Sequence, residues 1–254
     1  MIPRILIIAG SDSGGGAGIQ ADIRTVTMLG GHAMTAITAI TAQNTLGVQA
    51  VHPIPTDIVV AQMRSVIDDL GVDAVKIGMI GSAATARAVA DVLDTLAVPV
   101  VFDPVMIATS GSVLADADTI AAFARFMRQA AVVTPNLPEL AALGGEDAVR
   151  AGGAALLVKG GHGEGDIVED RLVAADGVKT VWTHPRIHTR HSHGTGCTLA
   201  SGIATGLAAG LPLADAVGRA IAYVQAALAA APGLGAGHGP MGHALGRVPF
   251  DDRT

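Results

Sequence analysis

Short apolar runs, each halted by glycine, proline, aspartate or lysine and most followed by residues at helical spacing, recur along the chain and restrict its fold more than any other feature. Residues 5–9 form the first run, and 17–29, after a block of glycines, have helical spacing. An extended Thr-, Ala- and Ile-rich segment at 33–42 precedes a helix predicted over 56–70, opened by the cap signal Thr56-Asp57. Further strands are predicted at 74–77, 98–102, 131–134 and 155–159, with a helix over 83–96. Parallel strands covered on both faces read as continuous apolar runs, and crossover helices must join them. The expected fold is therefore α/β, a central, mostly parallel sheet flanked by helices on both faces. Between 166 and 189 the pattern changes to short β segments around Ala175-Asp176-Gly177, which predicts a small antiparallel β edge. A nearly uncharged stretch from 197 to 211 opens a C-terminal helical part, and a glycine- and histidine-rich loop closes it at 233–243. No internal repeat or linker-like shift interrupts the pattern, so one domain over 1–254 is expected.

Composition narrows the function. Half of the 254 residues are hydrophobic (50%) but only 2% are aromatic, so the core must be aliphatic and alanine-rich. Such a length buries a core without disulfide or metal staples. Cys197 has no partner in the chain, which excludes a disulfide scaffold. With 16 Lys+Arg against 22 Asp+Glu and no basic run, a nucleic-acid surface is disfavoured. No apolar stretch reaches the roughly 18 residues of a membrane helix, and the apolar start is cut short by Gly10 and Asp12. A cytoplasmic, reducing location is the expectation.

In open α/β sheets ligands bind beyond the carboxyl ends of the strands, so the polar residues that end these runs should converge on one crevice. The segment from Gly10 to Gly18 lies between a strand and a helix, and its glycines permit close backbone approach to a ligand. It matches neither a dinucleotide fingerprint nor a Walker A loop. His193-Gly194-Thr195-Gly196-Cys197-Thr198 precedes the apolar helix, where exposed N–H groups and the helix dipole suit an anion such as phosphate. Cys197 in the first turn should have a lowered pKa, unless it is simply a small buried hydrophobe. Asn136 and Glu139 could serve the water shell of Mg²⁺ with Asp103, although their spacing alone favours a capping box. Lys159 reads as a phosphate-facing lysine or an exposed strand-end charge. Gln43 offers an amide that both donates and accepts, which suits the edge of an aminopyrimidine or similar heterocycle; the alternative is a side chain capping its own turn. Histidines 184, 188, 191 and 193 lie in a loop without a neighbouring cysteine or carboxylate cluster, and read as solvated loop residues.

Taken together, Ile8 to Asp12 with Gly14 to Asp22, Thr41-Ala42-Gln43-Asn44-Thr45, Lys76-Ile77-Gly78-Met79, Asp103-Pro104-Val105-Met106, Thr134-Pro135-Asn136-Leu137-Pro138-Glu139, Val158 to His162 and His193 to Thr198 resemble hydroxymethylpyrimidine/phosphomethylpyrimidine kinases, the thiamine-biosynthetic branch of the ribokinase superfamily. The resemblance implies a ribokinase-like fold, ATP and Mg²⁺, and phosphorylation of 4-amino-5-hydroxymethyl-2-methylpyrimidine and then of its monophosphate. It places Gln43 on the pyrimidine edge, with Gly10, Asp22, Met79 and Val105 lining the pocket. Gly194, Thr195 and Gly196 would form the anion hole and Cys197 would stand in the position of the base. Lys159, Thr134 and Asn136 are the candidate nucleotide contacts, and Asp103 and Glu139 the candidate metal partners. It also implies a homodimer.

Two departures from the family pattern stand out. The segment between Glu139 and Lys159 is shorter by about one helix, given crossover units of ~30 residues. Where many relatives carry a lysine, this chain has Ala220-Ile221-Ala222-Tyr223. Adenine contacts are therefore the least transferable. A pyridoxine or pyridoxal kinase of the same fold is the nearest alternative, and a non-catalytic ligand-binding module the alternative from another class. The scarcity of aromatics implies that aliphatic and methionine side chains grip the heterocycle.

Overall fold

Strand β1 (Arg4–Asp12) lies near the centre of the sheet, and its apolar run is buried on both faces. The computed structural model describes residues 1–107, 111 and 114–247. Beside β1 run β2 (His32–Asn44) and β4 (Ala74–Ile77), both parallel to it. Three short parallel strands extend the sheet, β5 (Val100–Phe102), β6 (Val132–Val133) and β7 (Ala155–Val158). Antiparallel strands close both edges: β3 (Gly47–Pro53) beyond β2, and the hairpin β8 (Ile167–Val173) and β9 (Lys179–Pro185) beyond β7. The order among the described residues is β3-β2-β1-β4-β5-β6-β7-β8-β9.

Period-two alternation sends each strand's side chains to two separate cores. Ile5, Ile7 and Ala9 join the core under helices α1 (Gly18–Met28), α7 (Thr195–Ala208) and α8 (Leu213–Ala229). Leu6 and Ile8 join the opposite core, under α2 (Thr56–Asp69), α3 (Ala83–Leu93), α4 (Ala117–Gln129), α5 (Leu137–Ala142) and α6 (Glu146–Arg150). Phe102, Phe123 and Phe126 cluster in that second core, with ring centroids 5.1, 5.2 and 6.3 Å apart. Edge and tilted pairs at such distances contribute about 0.5–1.5 kcal/mol beyond their burial. Apart from these rings, the buried Tyr223 and the partly buried Trp182, the core of the described residues is aliphatic, as the composition required.

The expected parallel sheet and the antiparallel hairpin are both present. β3 and α4 have no counterpart among the expected elements. The cap at Thr56 is corrected: Pro55 occupies the cap position, and the Thr56 hydroxyl instead lies 2.9 Å from the Thr85 hydroxyl. The short crossover between Glu139 and Lys159 carries only α6 and the end of α5, and Leu140, Leu143 and Val149 pack it into the phenylalanine core.

Candidate active site

Five strand ends converge on one crevice of about 910 Å³, as the topology requires. β1 delivers Gly10 to Asp12, β2 delivers Gln43, and the residues just beyond β4, β5 and β7 deliver Met79, Asp103 and Lys159. Among the described lining residues there is no Phe, Tyr or Trp; Met79, Val105 and Met106 supply apolar surface at the β4 and β5 ends. Gly10 makes room for this wall, since a Cβ there would meet the Met79 methyl carbon at 2.4 Å.

Asp12 organises the glycine loop. Its carboxylate accepts from the N–H groups of Gly14 (2.8 Å), Gly16 (3.0 Å) and Ala17 (2.8 Å) and lies 3.0 Å from His193 Nε2. Burial pushes the Asp12 carboxyl up, but the bonds from His193 and from this backbone outweigh it and hold the group below its usual range. His193 is only 8% exposed, so the expectation of a solvated loop histidine is corrected: its carboxylate partner comes from β1, far away in sequence. His184, which lies in β9, meets Asp170 of β8 at 3.3 Å and is largely covered, whereas His188 lies 3.2 Å from Asp166 with both side chains exposed, a solvated loop histidine as expected. Gln43 is anchored through its backbone, which exchanges two 2.8 Å bonds with the Ser13 hydroxyl. Its side-chain amide reaches Thr41 Oγ1 (3.1 Å) and His193 Nε2 (3.0 Å) and lines the crevice. Turn capping belongs to its neighbour, where Asn44 Oδ1 accepts from Leu46 N–H at 2.9 Å.

The anion site forms where α7 begins. Gly194 caps that helix with a φ of 88°, and a Cβ on it would lie 2.0 Å from the Gly16 carbonyl oxygen. Only glycine fits both demands. No side chain caps the helix, so first-turn N–H groups, including those of Gly196 and Cys197, are available beside Thr195 at the crevice floor. The thiol of Cys197 behaves contrary to the helix-dipole expectation. Burial pushes its pKa up to about 11, and the nearby Asp22 and Asp103 add to that rise against the opposing pull of Lys76.

Beyond the helix terminus lies a charged cluster. Lys159 Nζ is 2.8 Å from Asp103 Oδ1 and 3.8 Å from Glu139 Oε2. Burial alone would lower the Lys159 pKa, but these two carboxylates raise it. Thr134 is fully buried and donates to Asp103 Oδ1 at 3.1 Å; it orients the carboxylate and does not reach the crevice, which corrects its place among nucleotide contacts. Asn136 and Glu139 form the capping box, bonded reciprocally at 2.8 Å, and both also line the crevice. The two carboxylates around one ammonium keep a net negative charge, and Asp103 Oδ2 accepts no hydrogen bond from any described residue. That donor set fits a hard divalent cation that retains most of its waters. Among the described residues no group of three or more His, Cys, Asp or Glu converges on one point, so water and phosphate oxygens would complete the shell.

Asp22 is corrected as a pocket residue. It is fully buried below the floor, where it accepts from Lys76 Nζ (2.8 and 3.0 Å) and from the Ser201 hydroxyl (2.7 Å). Ile221, Val224 and Leu228 of α8 line the crevice as an apolar wall. Sequence reasoning missed Asp170, which is buried, accepts from Gly160 N–H at 2.9 Å and lines the crevice. It also missed Arg186, whose guanidinium holds the carbonyls of Gly161 (2.8 Å), Gly163 (2.9 Å) and Gly165 (2.6 Å). Asp170 lies inside β8 and Arg186 just past the antiparallel strand β9, outside the parallel-strand ends that marked the other site residues.

Comparison with known proteins agrees with this geometry. The sequence model of the phosphomethylpyrimidine kinase family matches residues 12–242. A hydroxymethylpyrimidine/phosphomethylpyrimidine kinase of Rhizobium meliloti is 48% identical over 257 residues, covering 94% of this chain and 96% of that protein. The crystal structure of Bacillus subtilis pyridoxal kinase in complex with ADP superposes with a TM-score of 0.89 at 31% identity, covering 98% of this chain and 100% of that one. A phosphomethylpyrimidine kinase from Clostridium difficile gives 0.74 at 34% identity, covering 89% of this chain and 98% of that one. The fold is ribokinase-like.

Proposed function

The chain belongs to the phosphomethylpyrimidine kinase family, and from that premise we propose that it transfers the γ-phosphoryl group of ATP to the hydroxymethyl oxygen of 4-amino-5-hydroxymethyl-2-methylpyrimidine, and a second phosphoryl group to the resulting monophosphate. The observation that carries this reading is that one crevice holds a heterocycle-directed amide, Gln43, and a helix terminus with uncapped N–H groups at Gly194 to Cys197.

Phosphoryl transfer demands mainly positioning and charge stabilisation. Gln43 holds the ring edge while Met79 and Val105 pack on its faces. The N–H groups of Gly196 and Cys197 receive the equatorial oxygens of the transferring group. The substrate oxygen bonds to the γ-phosphorus, the bond from that phosphorus to the β–γ bridging oxygen breaks, and ADP departs. Asp103 and Glu139 would hold the water shell of Mg²⁺, which would neutralise phosphate charge. Lys159 adds a positive charge on the same side. The hydroxyl proton passes to Cys197 in its thiolate form, a small burden in a loose transition state.

A second reading, a pyridoxal kinase, is favoured by the close superposition on the Bacillus subtilis enzyme. An ADP-release assay with the pyrimidine, its monophosphate and pyridoxal separates the two. Turnover of pyridoxal alone would overturn the pyrimidine assignment. We further propose a cytoplasmic homodimer, with the exposed Ile40, Leu46 and Val51 at the β2–β3 edge covered by a second copy. A monomer in sedimentation velocity would refute that arrangement.

A further inference from the structure

The hydrogens around Gln43 decide which end of its amide is oxygen, because nitrogen and oxygen there are distinguished only by their partners. His193 Nε2 lies 3.0 Å from Asp12 Oδ2. A carboxylate held in its ionised form accepts only, so this nitrogen carries a proton. With the Gln43 nitrogen facing it at 3.0 Å, two N–H groups would oppose each other. The other end of the amide meets a similar conflict. Thr41 Oγ1 has one proton, and two oxygens compete for it, Ser11 O at 2.9 Å and Gln43 Oε1 at 3.1 Å. Turning the amide by half a revolution removes both conflicts. His193 Nε2–H then bonds Asp12 and Gln43 Oε1 in a three-centre arrangement. Thr41 donates to Ser11 and accepts from Gln43 Nε2–H.

We infer that the Asp12–His193 pair fixes the Gln43 amide with Oε1 toward His193 and Nε2 toward Thr41, which makes His193 a positioning residue that selects the ring edge. The amide then offers the crevice one lone pair on the His193 side and one N–H on the Thr41 side. An amino group bonds the first and an acceptor ring nitrogen the second. The oxo analogue, with a carbonyl beside a ring N–H, presents the reversed pattern and leaves both pairs unmatched. This selectivity rests on the pyrimidine reading above, whereas the amide orientation does not.

Neutron diffraction from ligand-free crystals tests the orientation without a substrate, and places the Gln43 deuterons toward Thr41 and one deuteron on His193 Nε2. Deuterons of Gln43 directed at His193 would overturn it. Kinetics test the consequence. Wild-type kcat/KM favours the amino substrate over its 4-oxo analogue by about a hundredfold or more, as expected of a site that leaves buried polar groups unpaired with the wrong edge. His193→Ala frees the amide to turn and brings that ratio within about tenfold of unity. His193→Gln, which can restore an N–H at the Nε2 position, keeps the ratio within about threefold of wild type. An unchanged ratio in His193→Ala, or the same collapse in both variants, would reduce His193 to a structural role. If the wild type turns over neither pyrimidine, the substrate reading fails and the deuterons still decide the orientation.

Discussion

Lys76 and Asp22 form an ion pair at 2.8 Å in which both side chains are wholly inaccessible to solvent, directly below the floor that carries Cys197. Burial alone would lower the Lys76 pKa, but the carboxylates of Asp22 and Asp103 raise it and keep the ammonium charged. The pair ties β4 to α1, and Ser201 adds α7 to the same carboxylate. Three elements that position the glycine loop and the anion site are thereby held by one charge cluster.

Breaking one side of this pair leaves an uncompensated buried charge, which costs about 3–5 kcal/mol. Lys76→Met should lose that much in urea unfolding at neutral pH. Lys76→Met with Asp22→Asn should recover a large part of it, because no full charge is then left buried. Equal loss in the single and double variants would show that the pair is not coupled.

Cys197, its pKa pushed up to about 11 by burial, is almost wholly protonated at pH 7. Alkylation by iodoacetamide should accordingly be slow at neutral pH and accelerate about tenfold per pH unit up to pH 10. If the thiolate takes the hydroxyl proton, kcat should also rise with pH over this range, and Cys197→Ala should lower it by about a hundredfold, the low end for general base catalysis, with less change in KM. A wild-type kcat in that variant would remove the base role.

The parallel strands were legible in the sequence because both faces of β1, β4, β5, β6 and β7 are covered, which writes them as unbroken apolar runs. Their stops, at Asp12, Asp103 and Lys159, marked the crevice for the same reason. β3 was not legible, since most of Gly47–Pro53 faces solvent on the sheet edge and carries no apolar alternation. Nor was the environment of the site's charged groups. His193 finds Asp12 across 181 residues and Lys76 finds Asp22 across 54, so no local spacing records either pair. Sequence could not choose between the two readings of Cys197, because its place at a helix start is visible there, while its burial near Asp22 and Asp103, which favours the second, belongs to the tertiary structure.

Gly194→Ala tests how the anion site is built. The substitution forces a side chain into a left-handed conformation and drives its Cβ to 2.0 Å from the Gly16 carbonyl oxygen. A strained backbone position of this kind costs on the order of 1–3 kcal/mol before the steric clash is added. We expect a lower melting temperature and a loss of kcat together, since the Gly14–Gly18 loop and the start of α7 must part. Gly161→Ala, at a position where a Cβ meets nothing within 4 Å, serves as the control and should melt like the wild type.

Asp103 has two duties that a single substitution can separate. Its Oδ1 accepts from Lys159 (2.8 Å) and Thr134 (3.1 Å), while Oδ2 accepts from no described residue and is available to a metal-bound water. Asp103→Asn keeps the shape and removes the charge. If Asp103 orders the water shell of Mg²⁺, the concentration of Mg²⁺ that gives half-maximal ADP release should rise about tenfold, as loss of an outer-sphere partner commonly does. Glu139→Gln should raise it less, because Glu139 Oε2 is already engaged by Asn136 N–H at 2.8 Å and lies 3.8 Å from Lys159. An unchanged Mg²⁺ requirement with a reduced kcat in Asp103→Asn would confine that carboxylate to holding Lys159 and would move the metal elsewhere along the phosphates.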